Sequence, residues 1–107
     1  MTEPLRIVLI TAPDDEVSSR IARILVEERL AACVNIVPGI RSVYRWQGAV
    51  EEDSEFLLIA KTRSDRFEAL ARRAQELHPY ELPEILMLPV EGGSDDYMDW
   101  VRSEATL

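Results

Sequence analysis

The amino-acid sequence predicts an α+β fold of the ferredoxin-like type, in which a β-α-β-β-α-β order is followed by a C-terminal helix. Two observations support this prediction. Apolar stretches with strand periodicity and amphipathic stretches with helical periodicity alternate in that order along the chain. The 107 residues also contain no linker, repeat or low-complexity segment, so we expect a single domain spanning residues 1–107. Both crossovers should be right-handed, with the helices on one face of an antiparallel sheet.

The first strand and the first helix have clear local signals. Leu5–Ala12 is apolar on both faces, which is typical of a strand in the middle of a sheet. The proline and three acidic residues at 13–16 are a helix-start signal, because acidic side chains are favourable in the first turn of a helix. Apolar residues then recur at helical spacing to about Leu30. These residues are Val17, Ile21, Ile24 and Leu25.

A long hairpin is predicted after this helix. Alternate residues of 33–47 fall on one face of a strand, with a bend or bulge expected at Pro38 and Gly39. A turn at Gln47–Ala49 leads into a return strand, Val50–Lys61, which begins acidic and becomes apolar in its second half. The second half of this return strand should therefore lie in the core.

A helix, a strand and a short helix complete the predicted fold. The second helix begins after residues 62–64 and ends at His78, because a proline pushes the preceding residue out of the helical region. Ile85–Val90 is the fourth strand, and Gly92-Gly93-Ser94 opens the terminal helix. We expect eight apolar side chains to be excluded from solvent between the sheet and its helices. They are Ile7, Leu9, Ile21, Leu25, Phe56, Leu58, Leu70 and Ile85.

The length of the 33–47 strand has a consequence for assembly. At ~3.3 Å per residue it could reach roughly 45–50 Å, whereas a typical strand spans ~17–20 Å and a domain of this size has a radius of gyration near ~13 Å. The hairpin must overhang its own domain or fold back sharply at Pro38-Gly39. An overhanging ribbon would leave Tyr44 and Trp46 in water, and such a ribbon invites pairing with another chain. We interpret the hairpin as an oligomerisation arm, with a folded-back hairpin as the alternative.

Composition excludes several classes of partner. The net charge is −8, from 12 basic and 20 acidic residues, which argues against nucleic acid or an anionic membrane as a partner. No apolar run approaches the ~20 residues that a membrane-spanning helix needs. The single cysteine excludes an intrachain disulfide, and the first residues lack the features of a signal peptide. We therefore expect a cytoplasmic protein.

Cys33 and His78 are the only cysteine and histidine, and they are the first candidates for metal binding. Thiolate and imidazole suit copper and zinc, but a closed zinc site takes four protein ligands. A metal would need carboxylates such as Glu81 or Glu84, water, or ligands pooled from several chains. The structural alternatives are a small buried side chain for Cys33 and a helix-terminal residue for His78. The surroundings of a Cys-His nucleophile are missing, so we expect no enzyme.

The segment His78–Glu84 (His-Pro-Tyr-Glu-Leu-Pro-Glu) is the strongest candidate for a site. Its two prolines restrict the backbone, so the imidazole, the phenol of Tyr80 and the carboxylates are presented in a narrow range of geometries. We place the site where this segment meets a subunit boundary, near Lys61, Tyr80 and Glu84. Lys61 could bind an anionic ligand or pair with Glu84, or it could be an ordinary surface lysine. Trp46 and Trp100 are interpreted mainly as packing anchors.

Taken together, these segments resemble the CutA family, the divalent-cation tolerance proteins. The resemblance covers nearly the whole chain. It rests on Glu28–Ile36, Pro38-Gly39, Ser42, Tyr44, Trp46, Gly48, Glu55, Lys61-Thr62, His78–Glu84, Pro89, Asp96-Tyr97 and Trp100.

The resemblance implies a ferredoxin-like subunit in a homotrimer whose long hairpins are exchanged between neighbours, similar to the nitrogen-regulatory PII signalling proteins. It implies tolerance to copper and other divalent cations, with metal bound through Cys33 and His78, and it places Tyr44, Trp46 and Trp100 in the trimer interface. No cofactor is expected to be required, and copper or zinc is the candidate metal.

Two functions remain open at this point. The trimer could bind or respond to divalent metal ions through Cys33, His78, Glu81 and Glu84. Alternatively, it could be a signalling or scaffold trimer whose intersubunit clefts, lined by Lys61, Tyr80, Glu84 and Trp46, bind a small ligand. The second reading is an analogy of fold only.

Overall fold

A computed structural model describes residues 2–106 of the chain. The elements follow the predicted order with boundaries that differ by a few residues. They are β1 Leu5–Ala12, α1 Asp15–Glu27, β2 Cys33–Trp46, β3 Ala49–Arg63, a single 3₁₀ turn Ser64–Arg66, α2 Phe67–Leu77, β4 Ile85–Pro89 and α3 Asp95–Glu104.

The four strands form one antiparallel sheet in the order β2-β3-β1-β4. The first strand lies inside the sheet, paired with β3 on one side and β4 on the other, as its apolar character on both faces predicted. This strand order confirms the ferredoxin-like fold.

The helix ends follow from local chemistry. The side chain of Asp14 accepts a hydrogen bond from the backbone N–H of Val17 at 2.8 Å, which caps the first turn of α1. Ser94 caps α3 in the same way. The second helix ends at His78, whose extended backbone (ψ 136°) is the conformation that a following proline favours.

The core lies between the sheet and the helices α1 and α2. Ile21, Leu25, Leu58 and Leu70 are fully buried there, as predicted. Phe56 and Ile85 are also on this side, but both are only partly buried. Phe56 pairs with Ala12, the last residue of β1, and Ile85 is the first residue of β4, so both lie where the four-stranded part of the sheet ends.

The prediction was wrong for Ile7 and Leu9. Side chains of a strand alternate between the two faces, and the helix-facing positions of β1 are Val8, Ile10 and Ala12. Ile7 and Leu9 therefore point to the opposite face of the sheet. The sequence could not decide between the two faces because β1 is apolar at both sets of positions.

The opposite face, which we call the open face, is apolar and only partly covered. The C-terminal helix packs on one end of it, where Leu5, Ala32, Val101 and Ala105 form a small second core. The remaining apolar side chains of the face stay partly or largely exposed in the subunit. They include Ile7, Leu9, Leu57, Ile59, Leu86 and Leu88.

The hairpin overhangs the domain, as its length predicted. Pairing between β1 and β3 stops at Ala12 and Phe56, and beyond that point only β2 and β3 continue as a two-stranded ribbon. The subunit measures 47 × 25 × 22 Å, with a radius of gyration of 14.4 Å against about 13 Å for a compact domain of this length. The register shifts between Val37 and Ile40, where Gly39 has φ 73°, so the expected bulge is present.

Within residues 2–106, the helices are too short or too polar to cross a membrane.

Candidate functional site

The imidazole of His78 is fixed by two hydrogen bonds. Its Nε2 lies 2.7 Å from the carbonyl oxygen of Thr11, at the end of β1, and its Nδ1 lies 3.2 Å from the backbone nitrogen of Tyr80. A carbonyl only accepts and a backbone N–H only donates, so the ring is neutral with its proton on Nε2. The residue is 8% exposed, and its ring packs against that of Tyr80 at a centroid distance of 4.7 Å. Both ring nitrogens are therefore already used by the protein.

A groove of about 780 Å³ lies beside this histidine, between the ribbon and the segment after α2. Three aromatic side chains line it, namely Tyr44, Trp46 and Tyr80. Four carboxylates line it as well, and they are Asp53, Glu55, Glu81 and Glu84. The sequence-predicted residues Trp46, Tyr80, Glu81 and Glu84 are thus brought together around one groove.

Two tyrosines in the groove are bonded to carboxylates. Tyr80 donates from its hydroxyl to Oε2 of Glu55 at 3.1 Å, and burial together with this hydrogen bond raises the pKa of Tyr80 to about 12. Tyr44 donates to Asp53, and this hydrogen bond is the main cause that raises the pKa of Tyr44 to about 12. Both phenols stay protonated at neutral pH and act as donors to the carboxylates.

Within one subunit, Lys61 and Cys33 do not line the groove, so the predicted placement near Lys61 would need the lysine of a neighbouring subunit. The Nζ of Lys61 is 3.8 Å from the Sγ of Cys33 on the open face. In the sheet, Lys61 pairs with Ile7, four residues along β1 from Thr11, which is about 13 Å at the rise of a strand. The thiol of Cys33 and the imidazole of His78 therefore lie at different positions along β1, level with Ile7 and Thr11 respectively.

Tyr97 of α3 is the third member of the Cys33 cluster. Burial and, to a smaller extent, the neighbouring Cys33 raise the pKa of its phenol. The ring of Tyr97 also packs against Trp100 at 5.6 Å. This end of the sheet is thus filled by the terminal helix.

The four residues predicted to hold a metal do not form one ligand set in a subunit. No group of three or more His, Cys, Asp or Glu side chains with metal-binding geometry occurs in the described part of the chain. Glu81 and Glu84 border the groove, His78 lies behind it with both nitrogens engaged, and Cys33 is on another part of the sheet.

The sequence did not identify Glu55 as a site residue. Its side chain is 7% exposed and lines the groove at the base of the ribbon. A signal was present, because Glu55 is the last acidic residue before the apolar stretch 56–60, on the strand face opposite to the buried Leu58. Recognising it required knowing where β1 ends.

The aromatic residues predicted for an interface are accessible in the subunit. Tyr44, Trp46 and Trp100 are each about two-fifths exposed, with values of 40%, 42% and 43%. Such exposure is unusual for large aromatic rings, and it leaves area for a partner to cover.

Comparison with known proteins gives a consistent result. Residues 6–104 match the family described as CutA1 divalent ion tolerance protein. The chain is 57% identical over 96 residues to the divalent-cation tolerance protein CutA of Thermus thermophilus, covering 90% of this chain and 93% of that protein. It is 50% identical to human Protein CutA over 93 residues, covering 87% of this chain. The chain spans 52% of the human relative and 56% of a chloroplastic relative from Arabidopsis thaliana.

Solved structures agree with the sequence comparison. The Cut A1 structure from Thermus thermophilus superposes with a TM-score of 0.92 at 55% identity, covering 94% of this chain and 97% of that chain. The CutA1 structure from Oryza sativa gives a TM-score of 0.94 at 44% identity, with 99% and 96% covered.

Proposed function

This chain belongs to the CutA1 divalent ion tolerance family, and on that premise we propose that it acts in divalent-cation tolerance as a homotrimer that binds copper or zinc ions. The observation that carries the metal part of the proposal is the groove, where Asp53, Glu55, Glu81 and Glu84 surround one cavity. Carboxylate oxygens of this density attract divalent cations from solution.

Assembly is supported by two features of the subunit. The open face presents Leu86 and Leu88, which are 57% and 47% exposed, next to the half-buried Leu9 and Ile59. The ribbon beyond Ala12 has only two strands, and an isolated two-stranded ribbon is marginally stable in water. Packing against other copies of the chain would cover the open face and the two-stranded ribbon. A trimer is the closed assembly that the family resemblance implies.

In this proposal the metal ligands are pooled from more than one subunit, because residues 2–106 of one subunit offer no complete set. Glu81 and Glu84 are exposed at the edge of the groove and are free to turn toward a neighbour. Cys33 could contribute where the open faces meet. His78 could contribute only by giving up one of its two hydrogen bonds.

Native mass spectrometry of the metal-free protein, with and without Cu(II) or Zn(II), tests this function. We expect a mass of three subunits and a whole number of bound ions per trimer. The double variant Glu81→Gln/Glu84→Gln and the variant Cys33→Ser should each be compared with the remote variant Glu68→Gln on α2. The proposal fails if wild-type protein binds no ion, or if every variant retains wild-type affinity.

A second function is favoured by the size of the groove. About 780 Å³ is within the ~300–1,000 Å³ typical of small-molecule sites and far exceeds the space of a metal ion. We propose as the alternative a signalling or scaffold trimer, analogous in fold to the PII proteins, that binds a small ligand here. Binding of an organic ligand to metal-free trimer would favour this function.

We also propose a cytoplasmic, non-enzymatic protein that contacts neither nucleic acid nor membranes. The acidic charge of −8 and the single unpaired cysteine support this proposal. Some relatives are named as chloroplastic or periplasmic proteins, so location is tested directly by fractionation of cells that express the protein. Recovery outside the cytoplasmic fraction would contradict this location.

A further inference from the structure

Glu55 is a mostly buried residue whose carboxylate stands in the wall of the groove. It is 7% exposed, and its hydrogen-bond partner is the neutral phenol of Tyr80, which binds Oε2. Within residues 2–106, Oε1 accepts no hydrogen bond and no basic side chain forms an ion pair with this carboxylate. Oε1 is not among the buried atoms that lack a partner, so it faces the groove with its lone pairs available to a ligand.

The other charged groups of the groove also favour a cation over an anion. The groove contains four carboxylates against two guanidinium groups, and one of these, that of Arg41, is ion-paired with Glu52 outside the groove. The phenols of Tyr44 and Tyr80 have their pKa raised to about 12 partly by the same carboxylates, which reports a negative potential in the cavity. A positively charged group would be attracted to this cavity, and an anion would be repelled.

The aromatic lining restricts the chemistry of the cation. Tyr44, Trp46 and Tyr80 stand around the same cavity and are each about two-fifths exposed. The face of an aromatic ring attracts ammonium and guanidinium groups, and the ring also packs against an apolar body. A bare metal ion would not pack against the aromatic rings, and it would fill only a small part of the 780 Å³ groove.

We propose that this groove binds a small organic cation, an amine or guanidine with an apolar body, whose charged end pairs with Glu55. The inference rests on the second proposed function, ligand binding in the groove, and it names the ligand class. The apolar body lies against Trp46 and Tyr44, and Glu81 and Glu84 at the rim add long-range attraction.

Three probes of similar shape test the proposal by calorimetry on metal-free protein at neutral pH and low salt. They are 2-phenylethylamine, 2-phenylethanol and phenylacetate, which are cationic, neutral and anionic. We expect the amine to bind about tenfold or more tightly than the alcohol, and the anion to give no measurable binding. Raising the salt concentration should weaken binding of the amine more than binding of the alcohol.

The variant Glu55→Gln keeps the shape of the side chain and an acceptor for Tyr80, but removes the charge. It should reduce amine affinity about tenfold or more, whereas the matched change Glu68→Gln on the exposed surface of α2 should have an effect below about twofold. Oligomer mass and the unfolding midpoint of each variant are measured at the same protein concentration, so that loss of folding is recognised.

The outcomes separate the ligand class from the function. Equal binding of amine and alcohol, or tighter binding of phenylacetate, overturns the cation proposal and leaves ligand binding in place. Binding of none of the probes overturns the cation proposal, whereas the second function fails only if organic ligands of other classes do not bind either. If Glu55→Gln dissociates the assembly and leaves amine affinity unchanged, a basic side chain of a second copy supplies the counter-charge, and the proposal is overturned.

Discussion

The Nε2 of His78 lies 2.7 Å from the carbonyl oxygen of Thr11, so the C-cap residue of α2 is bonded to the penultimate residue of β1. The same ring accepts a hydrogen bond from the backbone of Tyr80 and thereby sets the direction of the following segment. Tyr80 in turn reaches Glu55 in the groove. The single histidine thus positions one wall of the candidate site without lining it.

Replacing His78 by alanine should destabilise the fold. The carbonyl of Thr11 and the N–H of Tyr80 would lose their partners in a mostly buried place, and we expect a loss of about 1–3 kcal/mol in the free energy of unfolding. The measurement is guanidinium unfolding of the assembled protein, with the exposed Gln75→Ala as control.

Copper titration of the same two variants shows whether His78 is a structural residue or a metal ligand. Because both ring nitrogens are engaged, we expect Cu(II) affinity to change much less than stability does. A large loss of affinity in His78→Ala, with stability near that of Gln75→Ala, would show that the ring turns outward and coordinates metal.

The open face should be the surface on which copies of the chain meet. Leu86 lies on this face and Met87 lies on the other face of the same strand, and both are largely exposed in the subunit, at 57% and 44%. Leu86→Asp should therefore lower the mass measured by sedimentation toward that of one subunit. Met87→Asp should leave the assembly intact, since its side chain is turned away from that face.

A subunit that stays solitary at micromolar concentration in the wild-type protein contradicts this prediction at once. So does a Leu86→Asp protein that keeps the wild-type mass. The comparison is sharp because the two substitutions are adjacent and introduce the same charge.

Arg29 has an unusual backbone conformation that its side chain offsets. Its φ of 59° lies in the left-handed region, where glycine is preferred after a helix, and α1 ends just before it. The guanidinium donates to the carbonyl oxygens of Ser103 and Thr106 at 3.1 and 2.8 Å and so ties α1 to the end of α3. The side chain therefore compensates for a strained backbone position.

Two substitutions at this position should differ in a defined order. Arg29→Ala keeps the strained φ and loses the bonds to α3, so we expect it to lower the free energy of unfolding by about 1–2 kcal/mol. Arg29→Gly loses the same bonds but removes the strain, and its loss should be smaller by up to about 1 kcal/mol. Thermal unfolding of both proteins gives the order, and an alanine variant more stable than the glycine variant would refute this account.

The sequence was sufficient to predict the fold because its local signals agree with one another. The caps at Asp14 and Ser94, the stop at His78 and the bulge at Gly39 are short-range features that depend on residue type alone. The overhanging hairpin was predictable from length. The face on which Ile7 and Leu9 lie was not, because a strand that is apolar on both faces gives no periodic signal.

The candidate site was only half predictable for a related reason. Trp46, Tyr80 and Glu84 meet at the groove because the ribbon and the segment after α2 lie side by side. Cys33 and His78 were considered together because each is the only residue of its type in the chain. The types of two residues, however, do not indicate how far apart their side chains lie in the folded sheet. Only the pairing register separates them.

The last prediction concerns alkaline pH, where the tyrosines determine stability. Tyr80 has a pKa of about 12 in the folded protein, raised by burial and by its bond to Glu55, against an ordinary value of about 10. Its stabilising contribution is therefore complete below pH 10. It is lost as the pH rises toward 12, because the unfolded chain releases the proton in this range and the folded protein does not.

Unfolding of wild type and Tyr80→Phe should be compared between pH 8 and pH 12. The variant lacks the hydrogen bond to Glu55 and should be less stable at pH 8, and the difference should shrink as the pH passes from 10 to 12. Phenolate absorbance gives an independent check, because the pKa of Tyr44 is also raised to about 12 and neither groove tyrosine should titrate near 10. If the wild-type protein forms a phenolate at pH 10 that Tyr80→Phe lacks, then Tyr80 is not hydrogen-bonded to Glu55, and the described arrangement of the groove is wrong.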